Sequence, residues 1–169
     1  MTNMKTVLLN ILAGAAVLFT AASCMKGPAH TIEPDPSQVS GPAYTGTLQV
    51  KDHVMDGACF HLDTTSGFTQ GTLYLPSYEM PAMGFKMTMP AFATAVSLEK
   101  AGEGTFTISS TAFERKVEGT VYMFKKGIRG SLESLPEGKG YLLTLAYDIQ
   151  PKGMPFALVH QFSGESAKN

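Results

Sequence analysis

Residues 44–63 read YTGTLQVKDHVMDGACFHLD, and their period decides the fold class. Tyr44, Gly46, Leu48 and Val50 alternate with Thr45, Thr47, Gln49 and Lys51. Successive side chains of a strand point to opposite faces, so this is a strand with one face buried and the other wet. After the punctuation MDG the pattern returns in ACFHLD (58–63): Ala58, Phe60 and Leu62 share one face, and Cys59, His61 and Asp63 the other. A helix needs apolar residues at spacings of three and four, and no window of the chain sustains that period.

Working outward, the same alternation predicts strands at GTLYLP (71–76), GFKMTM (84–89), ATAVSLE (93–99), GTFTISS (104–110), KVEGTVYMF (116–124), GIRGSLESL (127–135), GYLLTLAYDI (140–149) and PFALVHQF (155–162). Between them stand TSG, EMPAMG, KAGEG, KKG, PEGKG and PKGMP, in which glycine and proline supply turn geometries that other residues resist. Many short strands without a helix leave the problem of unpaired edges, which closure into a ring solves. The expected fold is all-β, an antiparallel barrel of about eight to ten strands over residues 43–169, with a two-sheet β-sandwich as the alternative.

The first 42 residues have a different character. Residues 1–23 carry one positive charge at Lys5, an apolar run from Val7 to Phe19, and then small residues up to Ser23. This is the three-part layout of a secretory signal, and the run is short for the roughly 20 residues a spanning helix needs. Cys24 follows at once, and AASC resembles the lipobox of bacterial lipoproteins, which implies lipidation of Cys24 as the new N-terminus. Acyl chains contribute about 0.8 kcal/mol per buried CH2, so such an anchor holds a domain at a membrane without any membrane-binding face. Residues 24–42, with prolines at 28, 34, 36 and 42, read as an extended, flexible tether. The implied address is the cell envelope, at the outer membrane, facing either the periplasm or the exterior.

The 169-residue chain has 13 basic and 14 acidic residues. Removing residues 1–23 takes away Lys5 alone, leaving 12 basic against 14 acidic and a net charge of −2. Only Lys125, Lys126 and Arg129 cluster positive charge, too small a footprint for nucleic acid. With Cys24 lipidated, Cys59 has no disulfide partner and reads as a small buried hydrophobe.

YTGTLQV as a first strand, an MP-containing central strand pair and a closing MPFALVHQFSG resemble the calycin-like, lipocalin-like barrel domains of bacterial secreted lipoproteins. The resemblance spans about residues 43–164. It implies an antiparallel barrel in a family without an established reaction. Lipocalins proper carry Gly-x-Trp near the first strand, and this chain has no tryptophan.

No HExxH, GxSxG, phosphate-loop or dinucleotide-binding motif occurs, and the carboxylates Glu99, Glu103, Glu114, Glu118 and Glu133 fall at turns or on polar strand faces. The protein is therefore expected not to be an enzyme, and no cofactor is called for. Cys59, His61 and His160 would make a soft-metal or nucleophile site only if the barrel brought them together. The segment LYLPSYEMPAMGFKMTMPAF (73–92) holds four methionines. Phe85, Met87 and Met89 fall on one strand face, whereas Met80 and Met83 are expected in a proline-framed turn. Thioethers pack irregular apolar space and adapt to varied apolar partners, and they are also soft ligands for Cu(I).

The leading expectation is thus a membrane-anchored, non-catalytic lipoprotein whose barrel binds a small apolar or amphipathic molecule. Its candidate contacts are Tyr78, Met80, Met83, Phe85, Met87, Met89, Phe92 and Met154. The alternatives are an interaction module whose barrel is filled by its own side chains, its protein partner unspecified, and a periplasmic Cu(I) or Ag(I) carrier using the methionines.

Overall fold

The structure, a computed structural model, describes residues 33–166 apart from Met83. The signal segment, Cys24 and the first part of the tether lie outside the described residues. The strands are β1 (Ala43–Val50), β2 (His53–Thr64), β3 (Gln70–Leu75), β4 (Tyr78–Ala82), β5 (Phe85–Met89), β6 (Phe92–Gly102), β7 (Thr105–Ser109), β8 (Phe113–Val117), β9 (Thr120–Phe124), β10 (Ile128–Ser134), β11 (Tyr141–Pro151) and β12 (Leu158–Ser166). A 3-10 turn, Pro136–Gly138, precedes β11.

Eight of these strands pair antiparallel in the order β1, β2, β3, β6, β7, β10, β11, β12, and β12 returns to β1. Each of the eight is hydrogen-bonded on both sides, so the ring has no free edge. The expected antiparallel all-β architecture is what the chain forms. The remaining four strands make two hairpins inserted at one end of the ring. Hairpin β4–β5 links β3 to β6, and hairpin β8–β9 links β7 to β10 while pairing with Gln150 and Pro151 of β11. Strand direction alternates around the ring, so both hairpins and the β1–β2 and β11–β12 turns belong to the same end.

The inward rows follow the sequence alternation. Leu48, Phe60, Leu62, Leu73, Leu132 and Leu143 are sealed from solvent, and the rings of Phe60 and Phe162 stack at 4.0 Å between centroids. The ring draws tight enough for this at a glycine pair, Gly46 opposite Gly164. A Cβ on Gly46 would stand 2.0 Å from the Ser163 carbonyl oxygen. At the end away from the hairpins, Phe68 stacks on Phe106 at 5.1 Å and leans on Tyr141. The outward rows carry Glu99, Arg129, Glu133 and Gln161, all exposed, the reverse of the apolar outer band that a membrane-spanning barrel presents to lipid.

Three local features differ from the sequence expectation. MDG is not the turn between the first two strands: β2 begins at His53 after the two-residue turn Lys51–Asp52, and Gly57, at φ +75°, is a bulge inside it where the pairing shifts by one. Residues 116–124 are not one strand. Glu118 and Gly119 both adopt positive φ, 48° and 86°, the signature of a two-residue hairpin turn, so the segment folds back as β8 and β9. Met80 lies not in a turn but in β4, where Pro81 is tolerated because β4 pairs on one side only.

Residues ahead of β1 also touch the barrel. Glu33 reaches Arg115 of β8 at 3.2 Å, Ser40 donates to Asp63 at 2.6 Å, and the Leu62 amide donates to the Pro42 carbonyl at 3.3 Å.

Candidate functional site

Hairpin β4–β5 has one apolar face, and strand alternation assembles it. Tyr78 pairs with Met89, and Met80 with Met87, so the phenol and three thioethers lie on the same side while Glu79, Lys86 and Thr88 face water. Lys86 and Glu79 form an exposed ion pair at 3.3 Å across the outer side. The apolar face packs on the core: Met89 is 1% exposed, Met80 8%, and Met87 and Tyr78 are half-buried against the same cluster, which also includes Phe92.

The Tyr78 hydroxyl meets His160 Nε2. His160 is fully buried, although its neighbours along β12 include the exposed Val159 and Gln161, because Leu158, His160 and Phe162 share the inward row. Its Nδ1 lies 2.8 Å from the Leu158 carbonyl oxygen, which can only accept, so Nδ1 carries the proton and Nε2 accepts from the phenol. Burial holds the imidazole down at about 4, so it is neutral at ordinary pH. Burial likewise raises the Tyr78 and Tyr147 phenols well above their usual range, and both stay protonated.

Tyr147 stacks on His160 at 4.6 Å with the rings nearly parallel. Phe124 lies 6.2 Å from Tyr147 between ring centroids, stacks on Phe113 at 4.2 Å and meets Phe92 edge-on at 5.2 Å. A continuous row of rings therefore runs from hairpin β8–β9 through the barrel end to hairpin β4–β5. Chemically this is a closed, apolar cap with one neutral hydrogen-bonded pair at its centre.

Of the candidate residues, Tyr78, Met80, Met87, Met89 and Phe92 come together in this cap. Met154 sits half-buried in the β11–β12 connection, held by its own backbone: its amide donates to Pro151 at 3.0 Å and its carbonyl accepts from Gln150 at 2.7 Å. Phe85 opens β5 opposite Ala82. Met83 lies outside the described residues. Cys59 and His61 do meet, Sγ to Nε2 at 3.5 Å, but on the outward face of β2, whereas His160 is inside the ring. The three do not form one site, and no group of three metal-binding His, Cys, Asp or Glu side chains occurs among the described residues.

Tyr147, like Phe113 and Phe124, is a member of the cap that sequence reading passed over. Its signal was present: in LLTLAYDI it falls on the inward row with Leu143, Leu145 and Ile149.

The fold defines the class of this protein as an antiparallel all-β ring with two inserted hairpins. The solved structure of a "putative outer membrane protein" from Bacteroides fragilis is similar in fold, with a TM-score of 0.54 at 15% identity. The match covers 77% of this chain and 52% of that structure, so this chain spans about half its length. No protein-family profile and no curated protein matches the sequence.

Proposed function

We propose that this chain is a non-catalytic module of the bacterial cell envelope, held at a membrane by lipid on Cys24, that acts through the outside of a barrel filled by its own side chains. The carrying observation is the occupied interior, with the Phe60 and Phe162 rings stacked at 4.0 Å within a shell of sealed leucines. Among the described residues, such packing supports a filled barrel rather than one with the hollow that ligand-carrying barrels use. The envelope address draws on the signal and lipobox pattern and on the outer-membrane name of the structural neighbour. The polar outward rows fit a domain that stands in water beside a membrane rather than within it.

A second reading, sequestration of a small apolar or amphipathic molecule, draws support from the methionine face of β4–β5. Thioethers repack at low cost, so a guest would enter by lifting this hairpin. One measurement separates the two. Cys24→Ser protein, which lacks the acylated thiol, is purified and weighed by native mass spectrometry. The polypeptide mass alone is expected. A stoichiometric lipid-like adduct would establish the sequestration reading instead. Labelled palmitate should enter the wild-type protein and not Cys24→Ser.

A further inference from the structure

Strand register aligns a row of hydroxyls across the outside of the ring. Thr107 of β7 is opposite Ser131 of β10, Ser131 opposite Thr144 of β11, Thr144 opposite Ser163 of β12, and Ser163 opposite Thr47 of β1. At the spacing of neighbouring strands, five hydroxyls extend about 19 Å. The next row along the strands places Arg129, Ala146, Gln161 and Gln49 side by side. Between the long side chains of Arg129 and Gln161 the methyl of Ala146 leaves a groove of about 530 Å³, lined also by Thr47, Thr144 and Ser163. That volume lies in the range of small-ligand sites.

The polarity of the groove is directional. Thr47 donates to Asp56 at 3.0 Å, and Ser131 donates to Glu133 at 2.9 Å. Ser131 therefore accepts from Thr144 across 2.8 Å. Protons committed in this way leave the Thr47 and Thr144 oxygens facing the groove as acceptors. Arg129 is exposed, and no hydrogen bond or ion pair engages its guanidinium among the described residues. Lys126, near the same rim, is already paired with Asp148 at 3.1 Å.

A ligand that suits this surface offers many hydroxyl donors to the ladder and one anion to Arg129, whose planar fork matches a carboxylate in two bonds. A docking peptide is poorly served: the closed ring has no edge for strand addition, and the exposed side chains of the groove include none of the aromatic anchors that carry protein interfaces. One arginine is likewise too little for nucleic acid. On the reading that the barrel acts through its outside, we infer that the groove across β1, β12, β11 and β10 binds an acidic oligosaccharide, its chain crossing the strands along the hydroxyl ladder and a carboxylate seated on Arg129.

The test uses the full lipidated chain in a non-glycosidic detergent, titrated calorimetrically with trimers of galacturonic, glucuronic and mannuronic acid and with a neutral galactose trimer. At least one acidic trimer should bind ten-fold or more tightly than the neutral one. Arg129→Gln should erase that preference, and Thr144→Val with Ser163→Val should weaken binding ten-fold or more, with the circular dichroism of all variants unchanged. Absence of saturable binding to every acidic trimer, or binding that both variants leave intact, overturns the inference. A concentration-dependent dimer abolished by Arg129→Gln also overturns it, in favour of a second copy as occupant. These results are independent of the mass measurement on Cys24→Ser: an apolar adduct there defeats the filled-barrel reading, whereas failure of the trimers alone defeats only the ligand class.

Discussion

Acidification tests the cap through one buried imidazole. His160 in the folded chain titrates at about 4, against about 6.5 when unfolded, because burial disfavours its charged form. Between those values the unfolded chain binds the extra proton, so stability is complete above the unfolded value and is lost as pH falls through the window. The difference amounts to about 2 kcal/mol by about pH 5 and about 3 kcal/mol by about pH 4, a large share of the 5–15 kcal/mol that a typical domain possesses. Carboxylates also titrate on acidification, so the measurement is a difference. Urea unfolding followed by circular dichroism compares wild type with His160→Gln near neutrality and near pH 5. Glutamine keeps a polar side chain able to accept from Tyr78 but does not titrate. Wild type should lose about 2 kcal/mol more than the variant over this interval. Parallel losses in the two proteins would refute the assignment of a neutral, solvent-sealed imidazole.

Three further expectations concern the cap and the ring. Tyr78→Phe leaves the buried Nε2 of His160 without a donor, which should cost about 1–3 kcal/mol and speed amide exchange selectively in β4–β5. Gly46→Ala forces a methyl within 2.0 Å of the Ser163 carbonyl, so β1 and β12 must part; a loss of at least about 2 kcal/mol in urea unfolding is expected, and a neutral result would contradict the close strand approach. Met87→Leu with Met89→Leu nearly conserves volume and should change stability by less than about 1.5 kcal/mol. If the same variant abolished stoichiometric Cu(I) binding by the wild type, the methionines would be ligands as well as packing.

Much of the fold was legible because a strand states its buried face in its own alternation. Tyr44, Leu48 and Val50, or Leu143, Leu145, Tyr147 and Ile149, are inward in the structure and alternate in the sequence. Turn chemistry was less legible. Asp56–Gly57 suits a bulge as well as a turn, and Glu118–Gly119 makes a hairpin turn at a pair less characteristic than Asn-Gly. Such choices depend on which neighbouring strand is available to pair, a property of the assembled ring.

The candidate cap was half visible. Tyr78, Met80, Met87, Met89 and Phe92 are close in sequence and could be grouped as one segment, but their partners come from remote strands. Tyr78 meets His160 across 82 positions, and Tyr147 joins through a stack that no local period records. His160 reads as a polar strand residue until the ring closes around it.

By itself, then, the sequence determined the element type and the side of each strand that faces the core, since both are written in local composition and period. Closure of β12 on β1, the filling of the interior, and the alignment of Thr107, Ser131, Thr144, Ser163 and Thr47 into one row were decided only by tertiary structure. Each depends on inter-strand register, fixed by contacts among residues far apart in the chain, such as Gly46 against Gly164 and Phe60 against Phe162.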